Sequence, residues 1–125
     1  MIYYDGILPL PDMTQEGKIN IYLDDQRPCP RGFILAKTHW ECAKMLDQNL
    51  VNILSLDHDL GDESFNGTGY DVAMHIVEQG LKNPDVWPRQ IYLHTSNPVG
   101  RNNMYQLLTH YCPDDVKIYH YPYQG

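Results

Sequence analysis

No stretch of this sequence approaches the roughly 18 consecutive apolar residues that a membrane-spanning helix needs. The opening MIYYDGILPL also lacks the basic start of a secretory signal. A cytoplasmic protein without membrane contact is the expectation. Cysteine is scarce: Cys29, Cys42 and Cys112 are odd in number, far apart, and follow no C-x-x-C spacing. That argues against a disulfide framework and a thiolate zinc site, and leaves reduced packing thiols. Positive charge is in deficit, with 9 Lys and Arg against 16 Asp and Glu and a net charge of −7. A long nucleic-acid groove needs a basic face to displace counterions, so that partner class is set aside. A small phosphorylated ligand stays open, provided a cation stands between it and the protein's own carboxylates. Internal repeats and low-complexity tracts are absent as well. What is present, 125 residues of which 42% are hydrophobic and 20% charged, is an ordinary globular composition. A chain of this length buries roughly two thirds of its surface around one core. Oligomeric state is not written in any of these quantities.

Residues 1 to 17 stand apart as an N-terminal extension, in which Ile2 to Tyr4 and Ile7 to Leu8 flank an Asp5-Gly6 pair suited to a tight hairpin turn. From residue 18 to 125 strands alternate with helices. KINIYLDD reads as a buried strand ending in two carboxylates, and the following QRPCPRG, with two prolines and a glycine, forbids a helix. Phe33 to Lys37 is a short second strand. Thr38 to Glu41 is a capping box, opening a helix with Cys42, Ala43, Leu46 and Leu50 inward. NILSLDHDL, 52 to 60, is a third strand followed by a turn-rich GDESFNGTG. Thr68 caps a helix with Val72, Ala73, Ile76 and Val77 on its apolar face and Gly80 as its stop. Gln90 to Thr95 is a fourth strand, and Asn97-Pro98 starts a helix burying Met104, Leu107, Leu108 and Tyr111. Val116 to Tyr121 is the fifth strand. This alternation predicts an α/β domain with a five-stranded parallel sheet and right-handed crossovers.

Ligands of such sheets gather beyond the carboxyl ends of the strands. There the sequence places Asp24 and Asp25 after strand one, Asp57, His58 and Asp59 after strand three, and His94, Thr95, Ser96 and Asn97 after strand four. Carboxylates crowded together raise one another's pKa unless a cation compensates, and their oxygens suit Mg²⁺, Mn²⁺ or Ca²⁺. Asp24, Asp25 and Asp57 are the candidate metal ligands. His58 and His94 could ligate a softer ion or serve as general acid and base. The helix after Asn97 aims its N–H groups at the same crevice, and Arg27 and Arg101 could clamp phosphate oxygens. Plainer roles compete: Asp59 suits a turn before Gly61, the histidines suit structural positions, and the tyrosines and tryptophans suit packing and rim. Tyr70, near the turn, could still face a base or a sugar.

Two acids after strand one, Asp57 after strand three and Thr95-Ser96 after strand four resemble the receiver domains of response regulators. The resemblance implies a receiver-like, flavodoxin-like three-layer fold. This sequence departs from it twice: the first helix is replaced by the Pro-containing loop, and at strand five, where receivers carry a terminal lysine, the end reads HYPYQG, with Lys117 at the strand's start. More specifically, LDDQRPCPRGF, SLDHDLG, GTGYDVA and HTSNPVGRNNM look like the motifs of the cyclic-phosphate processing receiver family, from about Lys18 to His120. That resemblance implies a metal-dependent phosphoesterase, with Mg²⁺ or Mn²⁺, acting on a cyclic nucleotide or RNA terminus. Its functional positions would fall on Asp24, Asp25, Arg27, Asp57, His58, His94, Asn97 and Arg101. Two other functions fit the same residues: a module that binds such a ligand without cleaving it, and a signalling receiver phosphorylated on Asp57.

Overall fold

The computed structural model describes residues 17–124. The expected hairpin around Asp5-Gly6 lies outside the described residues. Five parallel strands, β1 (Lys18–Leu23), β2 (Ile34–Ala36), β3 (Leu50–Leu56), β4 (Gln90–Leu93) and β5 (Lys117–Tyr119), form one sheet in the order β2-β1-β3-β4-β5. This is the flavodoxin-like order, and the domain is a receiver-like α/β fold. The helices are α1 (His39–Gln48), a single turn α2 (Glu63–Asn66), α3 (Gly69–Lys82) and α4 (Pro98–Tyr111). No helix among the described residues is long and apolar enough to cross a membrane.

The three connections from β2 to β3, β3 to β4 and β4 to β5 all step the same way across the sheet. Right-handed crossovers therefore put α1, α3 and α4 in one layer, where α1 packs on α3 and α3 on α4. Their inward side chains, Cys42, Leu46, Val72, Ala73, Ile76, Val77, Met104 and Leu108, meet Ile21, Leu23, Leu54, Leu56, Ile91 and Leu93 in a single core. Each fully buried Leu or Ile there contributes roughly 1.5–3 kcal/mol.

The step from β1 to β2 runs the opposite way, and a helix there would cover the other face. As the prolines require, residues 24–33 contain no helix. Among the described residues that face carries no helix at all; the third layer consists of side chains. Tyr22 lies against Phe33, Phe33 against Tyr123, Tyr123 against Tyr92, and Tyr92 stacks on Tyr119, with ring centroids 4.6 to 6.1 Å apart. Parallel sheets need both faces covered, and an aromatic layer from the loop and the C-terminal segment meets that need. Near its lower edge the β1–β3 ladder slips one residue between Ile19 and Asn20. The buried Asn20 Oδ1 mends the slip by accepting from Ile53 N at 3.2 Å.

Element ends differ from the sequence expectation where local hydrogen bonds decide them. β3 starts two residues earlier than expected, so Leu50 is not the last inward residue of α1 but an exposed strand residue opposite Lys18. β3 also stops at Leu56, because Asp57 Oδ1 captures the His58 N–H and His58 O accepts from Gly69 N, turning the chain out of the ladder. The α2 turn inside the supposed loop forms because Asp62 Oδ1 caps Ser64 N. Tyr111 is 47% exposed rather than buried, lying in the last turn of α4. At α1 the Thr38 cap holds Glu41 N, but Glu41 reaches one residue further back, to Lys37 N.

Gly80 does not stop α3; it sits inside the helix, which runs on to Lys82. A Cβ there would lie 2.2 Å from Nε1 of Trp87, a buried and rigid ring. Helix propensity alone favours Gly80→Ala by about 1 kcal/mol; overpacking costs about 1–3 kcal/mol. The clash should win, so urea unfolding of Gly80→Ala should show a net loss of stability. A gain would mean that Trp87 is free to retreat.

Candidate functional site

The carboxyl ends of β1, β3 and β4 bring together the groups that the sequence separates by up to 70 positions. Asp24 is the centre. It is 1% exposed, and every lone pair it directs inward has a donor. Oδ1 accepts from Gln26 N at 2.8 Å and Arg27 N at 2.9 Å, while Oδ2 accepts from Arg27 Nη1 at 2.8 Å and His94 Nε2 at 2.9 Å. Burial on its own would raise the Asp24 carboxyl. The Arg27 amide and guanidinium, the Gln26 amide and His94 outweigh it and hold the pKa at about 2.

Arg27 Nη1 also donates to Asp57 Oδ2 at 3.3 Å, so one guanidinium bridges the acids of neighbouring strands. Above them opens a crevice of about 470 Å³ lined by Asp24, Asp25, Gln26, Arg27, Asp57, Asp59, Gly61 and Ser96. Of the residues expected here, Asp24, Asp25, Asp57, Arg27, Asp59 and Ser96 do face it. The others do not line it.

His94 lies beneath, on the helix-free face, stacked on Tyr22 at 4.4 Å with the rings 4° from parallel. Its Nε2 must carry the proton, because Asp24 can only accept, and its Nδ1 then accepts from Ser55 Oγ at 2.6 Å. Burial lowers its pKa against the pull of Asp24, which keeps the ring neutral near pH 7. His58 turns the other way. Its ring packs under the first turn of α4, where a Cβ on Gly100 would come within 2.5 Å of it. It borders a separate groove between α3 and α4 that Tyr70 also lines. Its Nδ1 is 2.9 Å from Asp59 Oδ1, so Asp59 alone joins the imidazole to the crevice, and this bond, before that from Asn97, keeps the Asp59 carboxyl low. Asn97 caps α4 through Gly100 N and donates to Asp59; Thr95 Oγ1 accepts from Asn97 N; Arg101 Nη1 donates to Thr95 O at 3.0 Å. These bonds tie the three together beside the crevice.

Ser55 and Tyr22, which orient His94, were not among the expected site residues. Period-two alternation carries the signal: Tyr22 and Ser55 each precede a site aspartate by two residues, on the same face of their strands.

Asp24, Asp57 and His94 each offer a ligand atom within 4.8 Å of the others. Two carboxylates and an imidazole are donors a divalent ion accepts, and Asp25 stands at the crevice wall to add oxygen. Accommodating one asks that Arg27, with a side chain 41% exposed, swing off the bridge. His94 can join the ligands only where its proton passes to Nδ1; with Nε2 donating to Asp24 it orients that acid instead. The donor set fits.

A family model described as the cyclic-phosphate processing receiver domain matches residues 19–110. Comparisons with curated proteins and with solved structures gave no match.

Because the Asp24 carboxyl titrates at about 2 in the fold and near 3.9 unfolded, its stabilisation is present above pH 4 and is lost as pH falls through 2. The loss should be about 2 kcal/mol. His94, held below its unfolded pKa, removes stability in the same direction, beginning near pH 6.5. Urea unfolding at a series of pH values should show both slopes. Asp24→Asn should be less stable at pH 7 and lose less stability between pH 4 and 2 than the wild type, keeping the smaller slope that Asp59 contributes; an unchanged acid slope in that variant would rule Asp24 out as a source.

Proposed function

The chain belongs to the cyclic-phosphate processing receiver family, and on that premise we propose that its acidic crevice binds a cyclic phosphodiester with Mg²⁺ or Mn²⁺ and hydrolyses it to a monoester. The observation that carries this reading is the Arg27 bridge between Asp24 and Asp57, a cation held over two acids at the ligand-binding end of the sheet. Asp24, Asp25 and Asp57 would hold the divalent ion. When bound, such an ion neutralises phosphate charge and lowers the pKa of water.

The chain's own residues then have defined tasks. Arg27, displaced from Asp57 but anchored by its backbone to Asp24, clamps a phosphate oxygen, and the exposed Ser96 hydroxyl donates to another. Attack of water forms one P–O bond as the ring P–O bond breaks, and the net proton transfer runs from the water to the departing alkoxide. His58 is the better-placed acid and base, relayed to the crevice through Asp59; His94 is committed on both nitrogens and orients Asp24 instead. The ligand is a small phosphorylated molecule, a cyclic nucleotide or an RNA terminus.

A second reading, capture without cleavage, is favoured by one observation: neither histidine lines the crevice. The signalling receiver is the weakest. Lys117 pairs with Gln90 at the start of β5, at the opposite end of the sheet from Asp57.

³¹P NMR of 2′,3′-cyclic, 3′,5′-cyclic and cyclic dinucleotide phosphates, with Mg²⁺ or Mn²⁺, separates these. Wild-type protein should yield a monoester signal that disappears on chelation and returns with metal. Asp57→Asn, checked for folding by circular dichroism, should lose activity by about a hundredfold or more. Undiminished turnover in that variant would sink the hydrolytic reading; tight binding with an unaltered ligand would install the capture reading in its place.

A further inference from the structure

Two large aromatic side chains stand in solvent beside the crevice: Trp40 is 63% exposed and Phe65 75%. They are not loose. Trp40 Nε1 donates to Phe65 O at 3.0 Å, and the Trp40 ring leans on His39 at 4.4 Å. Phe65 belongs to the α2 turn, which is fastened to the crevice wall: Asn66 Nδ2 donates to Leu60 O at 2.7 Å. A Cβ on Gly61 would lie 3.3 Å from both Asn66 Nδ2 and Asp25 Oδ2. The segment from the crevice-lining Gly61 to Asn66 thus runs from the wall where Asp25 stands to the aromatic pair.

Exposed rings held in a fixed geometry next to a binding crevice mark a contact surface. The charges nearest the pair in sequence are mixed, Glu41, Asp62 and Glu63 against Lys37 and Lys44. What the surface offers beside the crevice is therefore the flat faces of its two rings, which stack on a planar ring whatever the local charge.

We propose that Trp40 and Phe65 form a stacking platform for the nucleobase of the ligand whose phosphate occupies the crevice. The inference rests on the crevice reading for the place of the phosphate, and adds which residues of this chain hold the base of the nucleoside. Base stacking on such a side chain changes affinity by about tenfold or more.

Fluorescence provides a readout independent of turnover, since the other tryptophan, Trp87, is buried. In the presence of Mg²⁺, adenosine 3′-monophosphate should quench the wild-type emission, and ribose 5-phosphate should not. By calorimetry, Trp40→Ala should weaken the nucleotide about tenfold, leave ribose phosphate unchanged, and be rescued by Trp40→Phe. Phe65→Ala should weaken the nucleotide in the same way. Should no cyclic phosphate be hydrolysed while nucleotide-specific quenching persists, the hydrolytic reading fails and the platform stands. Equal losses for both ligands in Trp40→Ala would reduce Trp40 to a support for α2 and overturn the platform. So would unchanged affinities, or a Trp40 emission that follows protein concentration because the patch closes between two copies.

Discussion

A carboxylate sealed inside a protein must be given donors or it will not ionise, and Asp24 organises its surroundings around that requirement. Two of its donors are consecutive backbone amides, which only a tight turn right after β1 can supply; a helix starting there would spend those amides differently. The third is the Arg27 guanidinium in the same turn, the fourth His94 from a strand two places away. An isolated buried carboxylate would cost several kcal/mol. With four donors it instead ionises more readily than in water, at about 2.

That satisfaction propagates. For His94 to donate upward from Nε2, its Nδ1 needs a donor, and Ser55 provides it from the next-to-last residue of β3, a buried position where a parallel sheet ordinarily places an aliphatic residue. The imidazole then needs a flat cover, and Tyr22 stacks on it. Tyr22 in turn meets Phe33 at the end of the proline loop. The loop that feeds Asp24 its amides has no helix to offer, so among the described residues this face is closed by aromatic rings instead. The polar floor under the site and the helix-free loop thus meet at one buried charge.

What the sequence made legible follows the same division. Period-3.6 stripes and caps announced α1, α3 and α4, since Thr38, Thr68 and Asn97 act through neighbours three residues away. The prolines at 28 and 30 announced the helix-free crossover, and strand-end acids announced the crevice, because these depend on the chain's local order. Hidden were the features set across the fold. His58 and His94 sit at neighbouring strand ends, yet they diverge to opposite faces, for His94 continues the alternation of β4 while His58 lies one residue beyond the alternating face of β3. Gly80 read as a stop because a glycine late in a helix usually is one; the reason for it, Trp87, approaches from the next loop. Arg27 could be placed near a phosphate, but not recognised as the cation that already compensates two acids.

Arg27 holds Asp24 with a backbone bond of 2.9 Å and a side-chain bond of 2.8 Å, but Asp57 with only one side-chain contact of 3.3 Å. The bridge is therefore asymmetric, and it yields first at Asp57, the acid whose other oxygen is spent on the turn that ends β3. Releasing that contact frees an oxygen on Asp57, and releasing the guanidinium from Asp24 as well opens Oδ2, while the two amide donors keep Oδ1 in place. An incoming phosphate offers the guanidinium a bidentate partner in exchange for a long, single hydrogen bond. The exchange needs no movement of the sheet, only the swing of one half-exposed side chain whose backbone is pinned. Lysine at this position could not do the same, because one ammonium lacks the planar fork that grips a phosphate while still reaching back to Asp24. The loop that replaces the first helix thus carries a half-exposed cation into the site, on a backbone that Asp24 holds in place.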